Sequence, residues 1–548
     1  MSIGGDEMKA FRKLQAQLAP RWALADGDGP EPRDIVVIPS LSFDGIDKVS
    51  IDGVIHYEER MLFALNLLRH PRARLVYVTS APIHPAAVDY MLSLISGIPN
   101  EHMRRRLTVL SLYDSSLMPL TQKILRRPRV IERIRHLIRP ECGLMTCFTV
   151  TEAERSLAVA LGVPLYGADP DLIWLGTKSG SRWAFRKTGV PLLPGAEDLK
   201  SETDLVEAID GLWEENQGLE RMVVKQNTGF SGQGNAILDL SALSAVSPKS
   251  GVSREAREQA LADALPKMRF VDPRQTWDTF QEKFEREGGI VEAFVEGKDK
   301  RATSCQLRIS PEGSLDAIST HDQLVEGVDG QIYAGCRFPS DAAYRLVIQR
   351  DALRVGEVLQ NKGTVGRLAI DFLCVPAGDG SWKHYAIETN LRLGGTTHPM
   401  MLLRMMTDGR YDPDTGLYLT PRSEPQFYVA TDSMRADSYR GLLVEDLLDI
   451  AAVDGLHYQA WSESGVLFHF TGALSEFGKL GITAVRAKTR RVAGVCLGGL
   501  AEALRRRLRV DAWERALRRG CDATDCQLLQ GGSARAGERH RILDSREP

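Results

Sequence analysis

Two patterns of apolar residues divide this sequence, and they constrain its fold more than any other feature. In residues 31–165, apolar runs (DIVVIPS, RLVYVTS, GLMTCFTV) alternate with helical stretches (YEERMLFALNLL, EAERSLAVAL). Strands that alternate with helices predict a parallel α/β unit. We therefore predict a first α/β domain over 31–165, preceded by a leader helix and a soft linker in residues 1–30.

The pattern changes from about residue 166. The predicted strands there are RMVVKQ, GIVEAFVEG, CQLRIS, LDAIST, RLAIDFL and HYAIETN. Short turns with glycine, such as PEG and GDG, join several of them, which is typical of antiparallel hairpins. We predict a core domain over 166–400, with an exposed insertion at 236–270. A small α/β domain should follow over 401–508, and 509–548 should form a helical end and a disordered tail.

Composition and charge exclude several classes of protein. Of 548 residues, 43% are hydrophobic and 26% are charged, which is typical of a globular chain. There are 69 Lys and Arg residues and 72 Asp and Glu residues, so no overall basic field predicts nucleic-acid binding. No apolar run approaches the roughly 20 residues that span a membrane. The eight cysteines lack CxxC spacing, and no secretory signal is visible, so we expect a cytoplasmic protein with free thiols.

The strongest chemical motif is AIETNLRLGGTTHPM, which follows the strand RLAIDFL. Glu388, Asn390 and Arg392 are spaced two residues apart, so a strand would place them on one face. Pairing of the two strands would bring Asp371 next to Glu388. Carboxylate and amide oxygens are the ligands that Mg²⁺ prefers, and an arginine beside them stabilises developing negative charge. The alternative is a solvated sheet face, but the GGTTHP turn and the aspartate hairpin favour a phosphate and metal site.

Three further motifs are weaker alone. Lys225 ends a strand before a loop that contains Gly229, Gly232 and Gly234, and such a loop can direct backbone N–H groups at phosphate. A simple glycine-rich hairpin tip is the alternative. Lys178 opens a helix that ends at Gly189, and it would reach a nucleotide or lie on the surface. The strand GGIVEAFVEG would line an adenine pocket or be an ordinary buried strand.

Together and in this order, the motifs resemble the ATP-grasp superfamily. The run GTVGRLAIDFL…HYAIETNLRLGGTTHP is most similar to its biotin carboxylase and carbamoyl-phosphate synthetase branch. Further segments, including PSLSFD, STHDQ, GCRFPS and GVLFHF, resemble the pheganomycin-type peptide ligases over roughly residues 31–490. One departure is ATSCQ, where this resemblance leads us to expect a serine–proline–serine run. The implied fold is α/β: two α+β lobes that clamp ATP, preceded by a Rossmann-like pre-ATP-grasp domain.

The resemblance also implies roles for individual residues. Asp371, Glu388 and Asn390 would bind Mg²⁺, or Mn²⁺ in its place, and Arg392 would stabilise the acyl phosphate. His321 would lie near the phosphates or the acceptor, with a structural hydrogen bond as the alternative. His398 and His469 are expected to be structural. The implied ATP-binding residues are Lys178, Lys225, Gly229, Ser231, Gly232, Glu292, Phe294, Val295, Asp299 and Gln323.

The activity that follows from the resemblance is an ATP-dependent carboxylate–amine ligase. A small carboxylate would be phosphorylated by ATP, and the amine of an amino acid or peptide would then displace phosphate. A kinase or carboxylase-like enzyme and a catalytically silent ATP-binding regulatory protein are the alternatives. We expect neither nucleic acid nor membrane as a partner, and a homodimer would be common for this superfamily.

Overall fold

The computed structural model of the protein describes residues 5–26, 31–42, 51–229, 232–297, 299–327, 330, 332–487, 499 and 502–504. Within these residues, three sheets organise the chain. No helix in them is both long and apolar enough to cross a membrane. Residues 509–548, predicted as a helical end and a disordered tail, lie outside the described residues.

The first sheet is parallel and has the strand order β3-β2-β1-β4-β5. Every residue of β1 is buried, as expected for a parallel strand covered on both faces. The predicted helix around residues 57–68 is a 3₁₀-helix, Val54–Arg69. The elements are α1 (Gly5–Gln15), α2 (Leu18–Asp26), β1 (Arg33–Ile38), β2 (Ala73–Thr79), α3 (Pro85–Ser93), α4 (Asn100–Arg104), β3 (Leu107–Ser111), α5 (Leu120–Leu125), α6 (Pro128–Leu137), β4 (Gly143–Cys147), α7 (Glu152–Leu161) and β5 (Leu165–Tyr166).

The leader region is two helices that pack on this parallel unit. Phe11 of α1 is fully buried, and the ring of Trp22 stacks on Tyr166 with centroids 4.0 Å apart. Residues 5–26 are therefore part of the folded unit.

The second sheet is antiparallel, with the order β6-β10-β7-β8-β9. A 3₁₀ turn, Pro170–Gly176, precedes the helix that enters this lobe. Its elements are α8 (Lys178–Thr188), β6 (Gly195–Leu199), α9 (Glu202–Glu215), β7 (Arg221–Gln226), β8 (Asn235–Asp239), α10 (Arg254–Ala264), β9 (Arg269–Phe270), α11 (Trp277–Glu287) and β10 (Gly289–Ala293), with short 3₁₀ segments at Ser241–Val246 and Leu265–Lys267.

Residues 236–270 were predicted as an exposed insertion. None of residues 241–256 is buried, but both ends of the segment are packed into the second lobe, and there the prediction is wrong. Strand β8 pairs with β7 inside the second sheet, and Leu261 of α10 is fully buried. Arg257 of α10 is also buried, where it forms an ion pair with Asp210 of α9. The sequence did not predict this packing, because the charged residues of a buried ion pair are typical of a solvent-exposed segment.

The third sheet contains ten strands, eight of which follow the order β15-β14-β11-β12-β13-β18-β17-β16. The strands predicted within 401–508 continue this sheet, because β18 pairs with β13 and β20 pairs with both β18 and β19. Its elements are β11 (Arg301–Ile309), β12 (Leu315–Glu326), β13 (Ile332–Phe338), α12 (Arg345–Asn361), β14 (Gly366–Pro376), β15 (Trp382–Asn390), α13 (Thr397–Thr407), β16 (Arg410–Asp412), β17 (Leu417–Leu419), β18 (Pro425–Arg435), a 3₁₀ turn at Asp437–Tyr439, α14 (Val444–Val453), β19 (Gly465–Phe470), α15 (Leu474–Phe477) and β20 (Lys479–Ala487).

One face of the third sheet is apolar, and the other carries polar side chains. Leu307, Ile370 and Phe372 pack against α8 and α12 in a single buried cluster. Since side chains alternate along a strand, the residues between them point to the opposite face. That opposite face holds the candidate site.

Candidate active site

The β14–β15 hairpin places the predicted metal ligands together. The two strands pair antiparallel, and Asp371 lies directly opposite Glu388 in the register. Immediately beyond this pair the register shifts, so that Phe372 pairs with Ala386 and Ile387 is the extra residue of a β-bulge. The bulge allows Ala386 to join the apolar cluster while Glu388 faces the polar side.

The polar groups around Asp371 come from three strands. Its carboxylate accepts a hydrogen bond from Asn390 Nδ2 at 3.0 Å and another from Gln323 Nε2 at 3.1 Å. Ser304 of β11 lies directly opposite Asp371. Burial, together with the facing charge of Glu388, raises the pKa of Asp371 to about 6, although a hydrogen bond from Ser304 opposes this shift. Two carboxylates that face each other in this way favour a cation between them, as the sequence predicts.

Lys178 lies against the second carboxylate. Its Nζ is 2.5 Å from Glu388 Oε1. Burial alone would raise the pKa of Glu388. The charge and hydrogen bond of Lys178, together with the charges of Arg392 and Lys225, outweigh burial and keep the pKa below its ordinary value. Helix α8 begins at this lysine as predicted, with Thr177 as N-cap and Gly189 in the left-handed conformation at its end. A hydrogen bond from the Thr389 backbone N–H to Ser181 Oγ joins α8 to β15.

Lys225 belongs to a buried ion cluster in the second sheet. Glu292 of β10 is 1% exposed and contacts Lys225 Nζ at 2.6 Å and Arg182 Nη1 at 2.5 Å. Burial would raise the pKa of Glu292, but these two cations hold it below the ordinary value. The Glu292 side chain therefore orients Lys225, rather than serving only as a strand residue beside adenine.

The glycine-containing loop connects β7 to β8, as predicted. Gly232 has a φ of 79°, and an added Cβ at Gly229 would collide with the carbonyl oxygen of Gln233. Asn227 joins the start of this loop to α8, because its Oδ1 accepts from the backbone N–H of Ser179 at 2.9 Å. Ser231, predicted for the same loop, lies outside the described residues.

The segment after β10 contains the residues predicted around adenine. The backbone N–H of Phe294 donates to Arg221 O at 3.1 Å, so it already has a partner. The buried Phe294 ring lies under the guanidinium of Arg221, 4.0 Å from the ring centroid. The carbonyl of Val295 accepts a hydrogen bond from Lys300 Nζ at 3.1 Å. Asp299 is exposed.

His321 lies in the same cross-strand row as Ser304 and Asp371, but it is completely buried. Its Nε2 lies 2.6 Å from Tyr428 Oη. This position favours the structural alternative for His321 over catalysis. Gln323, two residues further along β12, is the residue of this strand that reaches the carboxylates.

Arg392 follows β15 and lines a cavity of about 730 Å³. Its Nη1 donates to Leu393 O at 3.2 Å. Burial lowers the pKa of Arg392, and the carboxylates of Glu388 and Asp371 oppose this shift. The guanidinium of Arg392 therefore interacts electrostatically with both carboxylates.

The two predicted structural histidines share one carboxylate. His398 Nε2 and His469 Nε2 lie 2.9 and 2.7 Å from Asp432 Oδ1, and Arg60 Nη1 contacts Asp432 Oδ2 at 3.0 Å. All four side chains are buried. Three ligand atoms of the group would fit a metal ion. Because Arg60 already neutralises Asp432, we interpret the group as a structural network that joins the 3₁₀-helix to α13, β18 and β19.

Comparison with known proteins agrees with this architecture. Residues 172–414 match the family model described as IQCH-like ATP-grasp. The chain contains an ATP-grasp domain. Residues 446–495 match a second model, the PGM1 C-terminal domain.

Two curated relatives extend the similarity over most of the chain. The L-propargylglycine–L-glutamate ligase of Streptantibioticus cattleyicolor is 29% identical over 436 residues, which cover 78% of this chain and 85% of the relative. The IQ motif-containing protein H of Danio rerio is 23% identical over 76% of this chain, but the match spans only 43% of that protein. The predicted ATP-grasp fold and the predicted class of enzyme, a ligase, are confirmed by the family match and the ligase relative.

Solved structures that superpose on most of this chain share little sequence identity with it. A biotin carboxylase from Campylobacter jejuni in a complex with an ATP analogue is 14% identical, with a TM-score of 0.48, and the match covers 85% of this chain and 90% of that one. An N5-carboxyaminoimidazole synthetase from Staphylococcus aureus with ADP is 10% identical, with a TM-score of 0.47, over 85% of this chain and 97% of that one.

Several site residues were missed by the sequence analysis. Arg182, four residues after Lys178 on α8, shares Glu292 with Lys225, and its i, i+4 spacing from Lys178 was the available signal. Asn227 and Ser304 gave no distinctive signal. Ser304 belongs to the run ATSCQ, in which the expected serine–proline–serine pattern was absent, and the structure nonetheless places a serine beside Asp371.

Proposed function

We propose that the protein is an ATP-dependent carboxylate–amine ligase that forms an amide bond through an acyl phosphate. The observation that carries this proposal is one polar sheet face on which Asp371, Glu388 and Asn390 lie together, with Lys178 in contact with Glu388. Phosphoryl transfer from ATP needs cations around the triphosphate and a fixed in-line geometry. This face would supply oxygen ligands for the metal, and Lys178 would supply a positive charge for the phosphates.

The metal in this proposal is Mg²⁺, with Mn²⁺ as the alternative. The side chains of Asp371, Glu388 and Asn390 offer oxygen ligands. Burial and the charge of Glu388 raise the pKa of Asp371, and a divalent cation would favour its ionised form. These three residues would hold the metal. When bound there, it would neutralise oxygens of the triphosphate.

The protein side chains would position ATP in two groups. Lys178 and Lys225 would contact phosphate oxygens, and the loop containing Gly229, Ser231 and Gly232 would close over them. Glu292 would hold Lys225 in place through the contact described above. Phe294, Val295 and Asp299 would border the adenosine, and Gln323 would orient Asp371.

The proposed reaction needs only ATP, a carboxylate and an amine, with no cofactor besides the metal. An oxygen of the substrate carboxylate attacks the γ-phosphorus of ATP, and ADP leaves. The nitrogen of an amine then attacks the acyl carbon, the C–O bond to phosphate breaks, and the nitrogen loses a proton. Arg392 would stabilise the negative charge of the acyl phosphate and of the tetrahedral intermediate. Exclusion of water would protect the acyl phosphate from hydrolysis.

For the substrates, we propose a small carboxylate together with an amino acid or peptide amine. The name of the 29% identical relative describes a ligase of two amino acids, which supports this class of substrates. A kinase would yield a phosphorylated product, and a carboxylase would require bicarbonate. Mass spectrometry of the product tests the proposal: an amide supports it, and a phosphorylated or carboxylated product refutes it.

A cytoplasmic location and a homodimer are further proposals. The described cysteines at 142, 147, 305, 336 and 374 are free and buried, which suits a reducing compartment. The homodimer rests on the superfamily resemblance alone. Sedimentation of the purified protein would decide the oligomeric state.

A further inference from the structure

We propose that the cavity beside Arg392 binds a substrate with a second carboxylate, remote from the carboxylate that reacts. The proposal rests on the proposed ligase function, because it assigns the reacting end of the substrate to Arg392. It deepens that function by naming the substrate class: a dicarboxylic acid, or a peptide with an acidic residue.

The cavity has two walls that differ in origin. One wall comes from the parallel unit, and it includes the 3₁₀-helix and the segments around β4 and β5. The other comes from the third sheet and from α13. Among the described residues that line it are five arginines, Arg69, Arg308, Arg367, Arg392 and Arg404, and a single acidic residue, Asp408. Asp408 forms an ion pair with Arg69 and therefore offsets only part of this charge.

Two of these arginines pair across the third sheet, and a third follows the sheet. Arg308 of β11 lies directly opposite Arg367 of β14. Since side chains two residues apart on a strand share a face, this pair is on the same face as Ser304 and Asp371. Arg392 lies two residues beyond Asn390, the last residue of β15.

Like charges directly opposite each other destabilise an antiparallel pair. Arg308 also faces Asp316 on its other side, at 3.1 Å. A cavity wall with this excess of positive charge would be stabilised by an anionic ligand. Arginine binds carboxylates through two parallel N–H groups, which favours a carboxylate over a diffuse negative charge.

The geometry also gives the orientation of the ligand. Asp371 and Arg367 are four residues apart on β14, which corresponds to roughly 13 Å between their Cα atoms. The reacting carboxylate would lie near Arg392, which follows the proposed metal ligand Asn390 by two residues. The second carboxylate would lie towards Arg367, Arg308 and Arg404, further from the phosphates. Apolar residues such as Met61 and Leu144 line the opposite side and would contact the carbon chain.

Direct binding to the full-length protein tests this assignment without requiring turnover. The probes are glutarate and L-glutamate, each compared by calorimetry with its ω-amide, and the dipeptide Glu-Glu, compared with Gln-Gln. We expect at least one dicarboxylate probe to bind about tenfold or more tightly than its amide. Arg404→Gln, at an exposed position, and Arg367→Gln should each remove most of this preference. Arg422→Gln, an exposed arginine outside the cavity, should retain it.

Failure of the cavity assignment can be separated from failure of the ligase proposal. If the wild-type protein binds no probe more tightly than its amide, or if both cavity variants keep the full preference, the assignment is overturned even when the enzyme forms amides. If the charge preference is present and sensitive to both arginines, the assignment stands even when no carboxylate supports ADP release. The melting temperature of each variant, and intermediate behaviour of Arg367→Lys, confirm that lost charge recognition rather than misfolding causes the effect.

Discussion

Asp371 and Glu388 face each other across two strands only because Ile387 is an extra residue between Glu388 and the core residue Ala386. Without the bulge, residues 386 and 388 would share one face, and either an alanine would leave the core or a carboxylate would enter it. The bulge therefore reconciles a packed apolar face with a charged face inside one strand. It also places two like charges opposite each other, and the ammonium of Lys178 contacts one of them.

Neutralising one of these carboxylates should abolish catalysis without unfolding the protein. Asp371→Asn and Glu388→Gln should each lower the rate of ADP formation by about 10²–10³ or more, by analogy with losses of single electrostatic contacts. Without metal, Asp371→Asn should melt no lower than the wild type at neutral pH, since it removes repulsion from Glu388. The rise in melting temperature on adding Mg²⁺ should disappear. Asp379→Asn, in the turn of the same hairpin, is the control, and a wild-type rate in Asp371→Asn would refute the metal assignment.

Replacing Glu292 should damage stability as well as ATP binding. Glu292→Gln leaves Lys225 buried without its carboxylate, although Arg182 keeps Glu197 as a partner at 3.0 Å. Breaking a buried ion pair in this way typically costs about 3–5 kcal/mol. Glu296→Gln, which removes the exposed partner of Arg221, should cost no more than about 1 kcal/mol. Urea unfolding measures both, and equal losses in the two variants would contradict the buried cluster described above.

Arg392 should contribute to the rate more than to ATP affinity. Arg392→Gln should lower kcat by about 10²–10³, because its charge is needed mainly when negative charge develops at the acyl group. The KM for ATP should change little. Steady-state kinetics of Arg392→Gln and of the exposed control Arg422→Gln separate the two effects. A large increase in the KM for ATP with an unchanged kcat would instead place Arg392 at the nucleotide.

The buried network around Asp432 should make stability depend on pH. Burial lowers the pKa of His398 from 6.5 to about 4, although the charge of Asp432 opposes this, and the neighbouring His469 and Arg60 favour the neutral ring. Below about pH 6.5 the imidazole of His398 is protonated in the unfolded chain, whereas in the folded protein it stays neutral until about pH 4. Stability should therefore be fully present above pH 6.5 and decrease as the pH falls towards 4, by up to about 1.4 kcal/mol per pH unit.

His398→Asn tests this linkage, because asparagine keeps a donor near Asp432 but does not titrate. The variant should be less stable than the wild type at neutral pH, and the difference should shrink as the pH falls from 6.5 to 4. His136→Asn, at an exposed position on α6, should follow the wild type. A difference between wild type and His398→Asn that is constant over this range would show that His398 does not carry the effect.

Local sequence patterns predicted much of the fold. Strand β7 and helix α7 coincide with the predicted segments, because apolar periodicity and capping residues define them locally. The hairpin spacing also predicted that Asp371 and Glu388 would lie side by side. The bulge at Ile387 was not predictable, since it depends on packing against α8 and α12 rather than on the strand sequence.

The contacts between segments far apart in the sequence were not predicted. Arg182 and Arg257 look like surface residues in a helix, but each meets a buried carboxylate from a distant segment. The same holds for Arg60, which reaches Asp432 across 372 residues of chain. The arginines of the cavity are scattered from residue 69 to residue 404, so only the folded chain reveals their shared wall.

Carboxylate-dependent trapping of an acyl phosphate is the most direct test of the ligase account. Purified protein with ATP, Mg²⁺ and hydroxylamine should form a hydroxamate and release ADP in equal amounts when a suitable member of a panel of amino acids, dicarboxylic acids and acidic dipeptides is present. No amine substrate is needed, because hydroxylamine captures the intermediate. Release of ADP with no hydroxamate from any carboxylate, or a hydroxamate whose formation does not require ATP, would contradict the account.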